Sequence, residues 1–159
     1  AFSRDVTGKL LKVDTTSGNI TVLMDTLSNP QGVAVDSSGN VYVSDSTSVY
    51  KYHAASGNVT VVMDDTHLAE PKGVVVVPDG VVYVVDSYND ALYMLDEDLG
   101  NVTKVMGSEH LATPKFAAAD ERGFVYVTDA SALKVYRYDP TTGAVDTLQL
   151  HSGSAGWFR

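Results

Sequence analysis

Apolar and polar residues alternate along most of the chain, in segments of about five residues bounded by glycine, proline, asparagine and aspartate. A period of two predicts β-strands, because successive side chains of a strand point to opposite faces of a sheet. Four such segments follow one another in the middle of the chain, at 73–77, 81–86, 91–96 and 101–106. The pattern therefore predicts an all-β fold of short antiparallel strands joined by tight turns, with no helix.

The strand unit is repeated along the chain. Residues 30–45 have the sequence PQGVAVDSSGNVYVSD, and related sequences recur at 71–86 and 114–129. The aspartates that end these stretches, Asp45, Asp86 and Asp129, are 41 and 43 residues apart. A period of about 40 residues with four strands per unit is typical of the blades of a β-propeller.

The repeat predicts the layout of a single β-propeller domain over residues 1–159, with about four blades whose strands are named a to d. The predicted units are blade 1 (strands b to d, 1–25), blade 2 (30–64), blade 3 (71–107), blade 4 (114–150) and an opening strand a (155–159). Trp157 to Arg159 would either pair beside Phe2 and close a four-bladed ring, or begin another blade of a larger ring. We expect the larger ring, because the terminal strand a is shorter than the others.

The motif PxGVAVDxxGNVYVxD at residues 30–45 resembles the NHL repeat of β-propeller proteins. The resemblance is weaker in blade 4, where Phe116 replaces the motif glycine. Residues 7–25 are also similar to strands of the strictosidine-synthase and gluconolactonase propellers. These resemblances imply a six-bladed ring, and they are shared by enzymes, receptors and scaffolds, so the motif predicts blades and not an activity.

Charge and composition exclude several classes of function. The chain has 20 acidic and 11 basic residues, a net charge of −9, and its lysines and arginines are scattered singly. Because nucleic-acid surfaces need clustered cations, we expect no nucleic-acid partner. No apolar run is long enough to span a bilayer, so we expect no membrane span. Cysteine is absent, which excludes disulfides and thiolate chemistry.

The repeated aspartates Asp5, Asp45, Asp86 and Asp129 are candidate functional residues because they occupy one position in every blade. A ring of carboxylates could bind a cation, but a residue that recurs in each repeat is more simply a cap that accepts backbone N–H bonds in the turn between strands b and c. Three histidines, His67, His110 and His151, lie in the connections between blades without metal-ligand spacing. We therefore predict no catalytic residue, no metal ligand and no cofactor, with calcium as the ion that an enzyme of this fold would need.

Three Asn-x-Thr sequons begin at Asn19, Asn58 and Asn101, each at the predicted turn between strands c and d. They are candidate N-glycosylation sites at the rim of the blades. Alternatively, the motif recurs only because Gly-Asn favours a tight turn and threonine favours a strand, and the repeat contains both in three blades. The sequons favour a secreted or extracellular protein.

The function predicted from these features is a non-enzymatic propeller module that binds a protein partner, or neighbouring copies in an extracellular assembly. The alternative is a calcium-dependent hydrolase or lyase of the six-bladed class, with its active site on the channel axis.

Overall fold

A computed structural model describes residues 8–148, which form fourteen β-strands and no helix. The first seven strands are β1 (Gly8–Val13), β2 (Ile20–Leu27), β3 (Pro30–Val35), β4 (Val41–Asp45), β5 (Ser48–Tyr52), β6 (Val59–Met63) and β7 (Pro71–Val76). The others are β8 (Val82–Asp86), β9 (Ala91–Asp96), β10 (Asn101–Met106), β11 (Pro114–Ala119), β12 (Val125–Asp129), β13 (Lys134–Tyr138) and β14 (Val145–Leu148). Asp5, His151 and the predicted terminal strand at 155–159 lie outside the described residues.

The strands form four separate sheets in which chain neighbours pair antiparallel. Three sheets have four strands, in the orders β3-β4-β5-β6, β7-β8-β9-β10 and β11-β12-β13-β14, and the fourth contains β1 and β2. Each four-stranded sheet corresponds to strands a to d of one repeat, and β1 and β2 correspond to strands c and d of blade 1. The predicted all-β class with propeller blades of antiparallel strands is confirmed.

The hydrophobic core lies between successive sheets, and the sheets of blades 2 and 3 bury residues on both faces against their neighbours. Tyr42 and Val49 of blade 2 pack against Val82 and Val84 of blade 3. On the other side of blade 3, Tyr83 packs with residues of blade 4 in a second cluster. The alternation of strand b in blade 3 therefore has a direct structural meaning: Tyr83 and Val85 face the following blade, and Val82 and Val84 face the preceding one.

The innermost strands β3, β7 and β11 lie side by side and come very close together. A Cβ atom added to Gly32 would lie 2.5 Å from the carbonyl oxygen of Lys72, and one added to Gly73 would lie 2.9 Å from the backbone nitrogen of Ala117. The hydroxyl of Ser44 accepts a bond from the backbone N–H of Gly32 (2.8 Å) and donates to the carbonyl of Lys72 (3.0 Å). The motif glycine is thus needed for blade-to-blade contact at the centre.

The meander places two kinds of connection at each end of a blade. We call the end with the b–c turns (46–47, 87–90 and 130–133) and the d–a connections (64–70 and 107–113) the upper face. The lower face carries the a–b turns and the c–d turns, the latter at 14–19, 53–58, 97–100 and 139–144.

Candidate protein-binding face

The repeated aspartates tie together two connections of the upper face. Asp86 is fully buried and accepts backbone N–H bonds from Ala69 (2.7 Å) and Glu70 (3.2 Å) in the d–a connection, and from Tyr88 and Asn89 (3.0 Å each) in the b–c turn. Asp45 and Asp129 accept bonds from the corresponding two N–H groups of the connection that precedes their blade. The sequence led us to expect only the bonds within the turn. The bonds across 16 or 17 residues follow from the pairing of strands a and b within the blade, in which Pro71 lies opposite Asp86.

The environment of Asp129 favours the charged carboxylate. Burial alone would raise its pKa, but bonds from the backbone N–H groups of Ala132, Ala112 and Thr113 outweigh burial, and the pKa of Asp129 is held below its usual value of 3.8. The side chain is 3% exposed and all its charge is directed at backbone donors. The carboxylate of Asp129 therefore holds the two connections in place, and its oxygens are occupied by backbone N–H groups.

Two large apolar side chains protrude from the upper face, in b–c turns whose sequences differ between blades. Tyr88 is 77% exposed in the b–c turn of blade 3, and Leu133 is 84% exposed in the same turn of blade 4. Leu133 also has a φ of 53°, in the left-handed region that leucine rarely adopts. Neither side chain is held by core packing, so the fold itself does not account for their chemistry.

The b–c turn that carries Tyr88 is well supported from below. The side-chain amide of Asn89 donates to the carbonyl of His67 (3.2 Å) and to the carboxylate of Asp86 (3.1 Å). Asp90 takes a left-handed φ of 47° that completes the turn. The loop thus has a fixed shape, and Tyr88 projects from a rigid support.

The histidines of the upper face do not come together. His67 lies 3.8 Å from Asp64 and His110 lies 3.2 Å from Glu109, in connections of different blades. Within residues 8–148 no group of three histidine, aspartate or glutamate side chains is arranged to hold a metal ion.

A polar cleft of about 230 Å³ lies on the lower face between blades 2 and 3. Lys51 reaches into it, and its Nζ lies 2.5 Å from the carboxylate of Glu97 in the next blade. Burial, together with a hydrogen bond to Glu97, raises the pKa of Tyr42 in this cleft to about 12. The cation is matched by a carboxylate and the phenol stays neutral, so the group links two blades and offers no reactive side chain.

The three sequon asparagines lie at the lower face: Asn19 and Asn58 end their c–d turns, and Asn101 is the first residue of β10, directly after the turn at 97–100. All three are exposed. They are on the opposite end of the blades from Tyr88 and Leu133.

Comparison with known proteins agrees with the repeat. The family model described as the NHL repeat matches residues 27–48 and 68–91, which cover strands a and b of blades 2 and 3 with the connection before each. No curated protein matches the sequence of this chain significantly.

No helix in the described residues is long and apolar enough to cross a membrane.

Solved structures with the same fold are enzymes and binding proteins alike. Virginiamycin B lyase from Staphylococcus aureus is 15% identical over 90% of this chain and 49% of its own, with a TM-score of 0.73. A chain of a nidogen/laminin complex is 18% identical over 90% of this chain and 72% of its own, with a TM-score of 0.60. A gluconolactonase from Xanthomonas campestris is 18% identical over 80% of this chain and 49% of its own, with a TM-score of 0.66.

At these identities the likeness is one of fold. This chain spans about half the length of the lyase and the gluconolactonase. The four sheets and the structural neighbours identify the fold as a β-propeller, and residues 27–48 and 68–91 match the NHL repeat.

Proposed function

We propose that this chain is a protein-interaction module of an extracellular protein and that its upper face binds the partner. The observation that carries the proposal is Leu133, an apolar side chain 84% exposed and held in a left-handed backbone conformation. A leucine in this conformation destabilises the fold by about 1–2 kcal/mol, and the exposed side chain contributes no burial energy that would offset the strain. A contact between Leu133 and another protein is the simplest explanation for keeping leucine at this position.

Tyr88 makes the case stronger, because it lies in the corresponding turn of the neighbouring blade and is 77% exposed. Aromatic and large aliphatic side chains on a rigid support are the usual anchors at the centre of protein interfaces, and polar groups form the rim. The same face carries charges of both signs: Glu70 pairs with Lys72 (3.0 Å), and the exposed Lys134 directly follows Leu133. The partner should therefore offer an apolar surface to the two anchors, with polar groups around it.

Two comparisons bear on this proposal. One structural neighbour is a chain of a nidogen/laminin complex, which supports an interaction role for a related fold. The hydrolase or lyase alternative is supported by the likeness of fold to the lyase and the gluconolactonase alone. We prefer the binding function because it rests on particular side chains of this chain.

The test places a photo-crosslinking amino acid at position 133 of the protein in its native host, and at position 99 as a matched control. Leu99 is also apolar and is 71% exposed, but it lies in a c–d turn on the lower face. We expect a discrete crosslinked protein from position 133 and none from position 99. The double variant Tyr88→Ser with Leu133→Asn should then bind the identified protein at least tenfold more weakly, while Leu99→Asn binds as the wild type does. Equal crosslinking at both positions, or unchanged affinity of the double variant, would contradict the proposal.

A further inference from the structure

We infer that Asn19, Asn58 and Asn101 carry N-linked glycans, one at the outer lower rim of each of three successive blades. The inference rests on the extracellular part of the proposed function, and it goes beyond that function by assigning a modification site. It is decided by the c–d turns of the four blades, three of which have a sequon and one of which does not.

The fold does not need the asparagine side chain. In the turns of blades 1 and 2, the backbone N–H of residue 14 or 53 donates to the carbonyl of Asn19 (2.9 Å) or Asn58 (2.8 Å). In blade 4 the backbone N–H of Asp139 donates to the carbonyl of Ala144 at the same distance of 2.9 Å. The preceding glycines, Gly18, Gly57 and Gly143, also have nearly the same φ, at 73–74°. Alanine therefore makes the same turn, and a favourable Gly-Asn turn does not explain three asparagines.

The side-chain amides are also free for chemistry. No side-chain hydrogen bond involves the amide groups of Asn19, Asn58 or Asn101 within residues 8–148, and all three residues are exposed. By contrast, other asparagines of the chain are used for structure: Asn40 caps the backbone of Ala54, and Asn89 bridges Asp86 and His67. The asparagines of the sequons are the ones that the fold leaves unused.

The threonine of each sequon lies on an outer strand, and of the three hydroxyls that of Thr60 lies within hydrogen-bond distance of Nε2 of His53, at 2.9 Å. Thr21, Thr60 and Thr103 pair across the hairpin with Lys12, Lys51 and Met94. In blade 4 this position is Asp146, which forms an ion pair with Arg137. Blade 4 thus loses asparagine and threonine together, as expected if the two residues form one recognition motif and not two independent structural choices.

A glycan at these positions would also meet a physical need of the edge strands. β6 and β10 are the outermost strands of their sheets, with unpaired backbone groups along one side. Next to Asn58, the side chains of Val59 and Val61 are 43% and 53% exposed, and next to Asn19, Ile20 is 65% exposed. An apolar free edge invites pairing with another sheet, and a bulky hydrophilic group at its start blocks it. Blade 4 has a charged pair at the same place, which is another way to protect an edge.

The reaction uses a lipid-linked oligosaccharide as donor. The side-chain amide nitrogen of the asparagine forms a bond to the anomeric carbon of the sugar, the bond from that carbon to the pyrophosphate breaks, and the lipid pyrophosphate leaves with the electron pair. The amide nitrogen loses one proton. No oxidant or reductant is involved, and the threonine hydroxyl serves recognition by the transferase.

The sites can be assigned separately in protein from its natural source, because trypsin places them on three different peptides, 13–51, 52–72 and 73–104. Enzymatic removal of N-glycans in ¹⁸O-labelled water converts each occupied asparagine into labelled aspartate. We expect label at two or three of Asn19, Asn58 and Asn101. Label at none of them, or at only one, would overturn the inference.

Variants made in a secretory eukaryotic host provide the matched controls. Thr60→Ser keeps the sequon and should keep the glycan at Asn58, whereas Thr60→Ala should lose it entirely, with the secreted fold unchanged by circular dichroism. Ala144→Asn combined with Asp146→Thr should create a fourth occupied site. Occupancy at position 144 without occupancy at the three natural sites would overturn the inference. These outcomes are independent of the crosslinking at Leu133, so the glycans and the binding face can fail separately.

Discussion

The carbonyl oxygen of Lys72 lies where the Cβ atom of any residue other than glycine at position 32 would need to be, only 2.5 Å from the ideal Cβ position. The contact joins the inner strands of two blades, β3 and β7. It explains why the motif has a glycine here in terms of packing between blades, since Gly32 is not in the left-handed φ region that otherwise requires glycine.

We therefore expect Gly32→Ala to destabilise the protein by about 1–3 kcal/mol, as overpacking against backbone usually does. Gly107→Ala is the matched control, because the nearest atoms there belong to the flexible side chain of Glu109 and can move. Urea unfolding followed by circular dichroism measures both variants. If the two alanine variants lost the same stability, close contact between the inner strands could not be the cause.

Asp86 is expected to be among the most sensitive polar residues of the described chain. Its buried carboxylate accepts four backbone N–H bonds from two connections, and truncation would leave those donors unpaired. Asp86→Ala should lower the free energy of unfolding by roughly 2–4 kcal/mol. Asp65→Ala, on the exposed part of the same d–a connection, should change it by less than about 0.5 kcal/mol. A small loss for Asp86→Ala would mean that the bonds to Ala69 and Glu70 do not hold the upper face together.

The buried tyrosines should make the protein sensitive to alkali. Burial raises the pKa of Tyr42 and of Tyr83 to about 12, against an ordinary value of 10.0. A group whose pKa is higher in the folded state contributes stability that is fully present below the unfolded pKa and is lost as the pH rises through the folded one. The free energy of unfolding should therefore fall between about pH 10 and pH 12, as measured by urea titrations at each pH.

Tyr83→Phe separates this effect from general alkaline denaturation. Tyr83 is 1% exposed and donates no side-chain hydrogen bond to the described residues, so phenylalanine fits the same space. The variant should show a shallower fall in stability between pH 10 and pH 12. An identical pH profile for the variant would show that ionisation of Tyr83 is not coupled to unfolding.

Much of this fold could be predicted from the sequence because the information is local. The alternation of valine and tyrosine with polar residues set the strands, and β9 and β10 have the predicted bounds of 91–96 and 101–106. The spacing of Asp45, Asp86 and Asp129 set the repeat. Strand a of blade 3 begins two residues earlier than predicted, at Pro71, because strand pairing with Asp86 includes the proline at the edge of the sheet.

The candidate site was harder to predict, because its turns and connections lie outside the regular strands. The bonds that Asp86 accepts from the d–a connection join residues 16 and 17 positions apart, and the antiparallel pairing of β7 with β8, which places Pro71 opposite Asp86, brings them together. Tyr88 and Leu133 lie in turns whose sequences are typical of loops, and their exposure depends on the direction in which each turn projects. One signal was present in the sequence: Leu133 is an apolar residue in a turn whose counterpart in blade 3 is Asp90, a residue that tolerates left-handed φ.

That difference leads to a prediction in which stability and binding move in opposite directions. Leu133 has a φ of 53°, which strains leucine but which asparagine tolerates. The variant Leu133→Asn should therefore raise the free energy of unfolding by about 1 kcal/mol. The matching rise in melting temperature is about 2–4 °C for a chain of this length. Leu99→Asn, where φ is not positive, should bring no such gain. If Leu133→Asn is more stable yet loses its partner, the leucine is kept for contact at the cost of stability. If it is more stable and binds as the wild type does, the strain at this turn has no function in binding, and the interaction surface must be sought elsewhere on the blades.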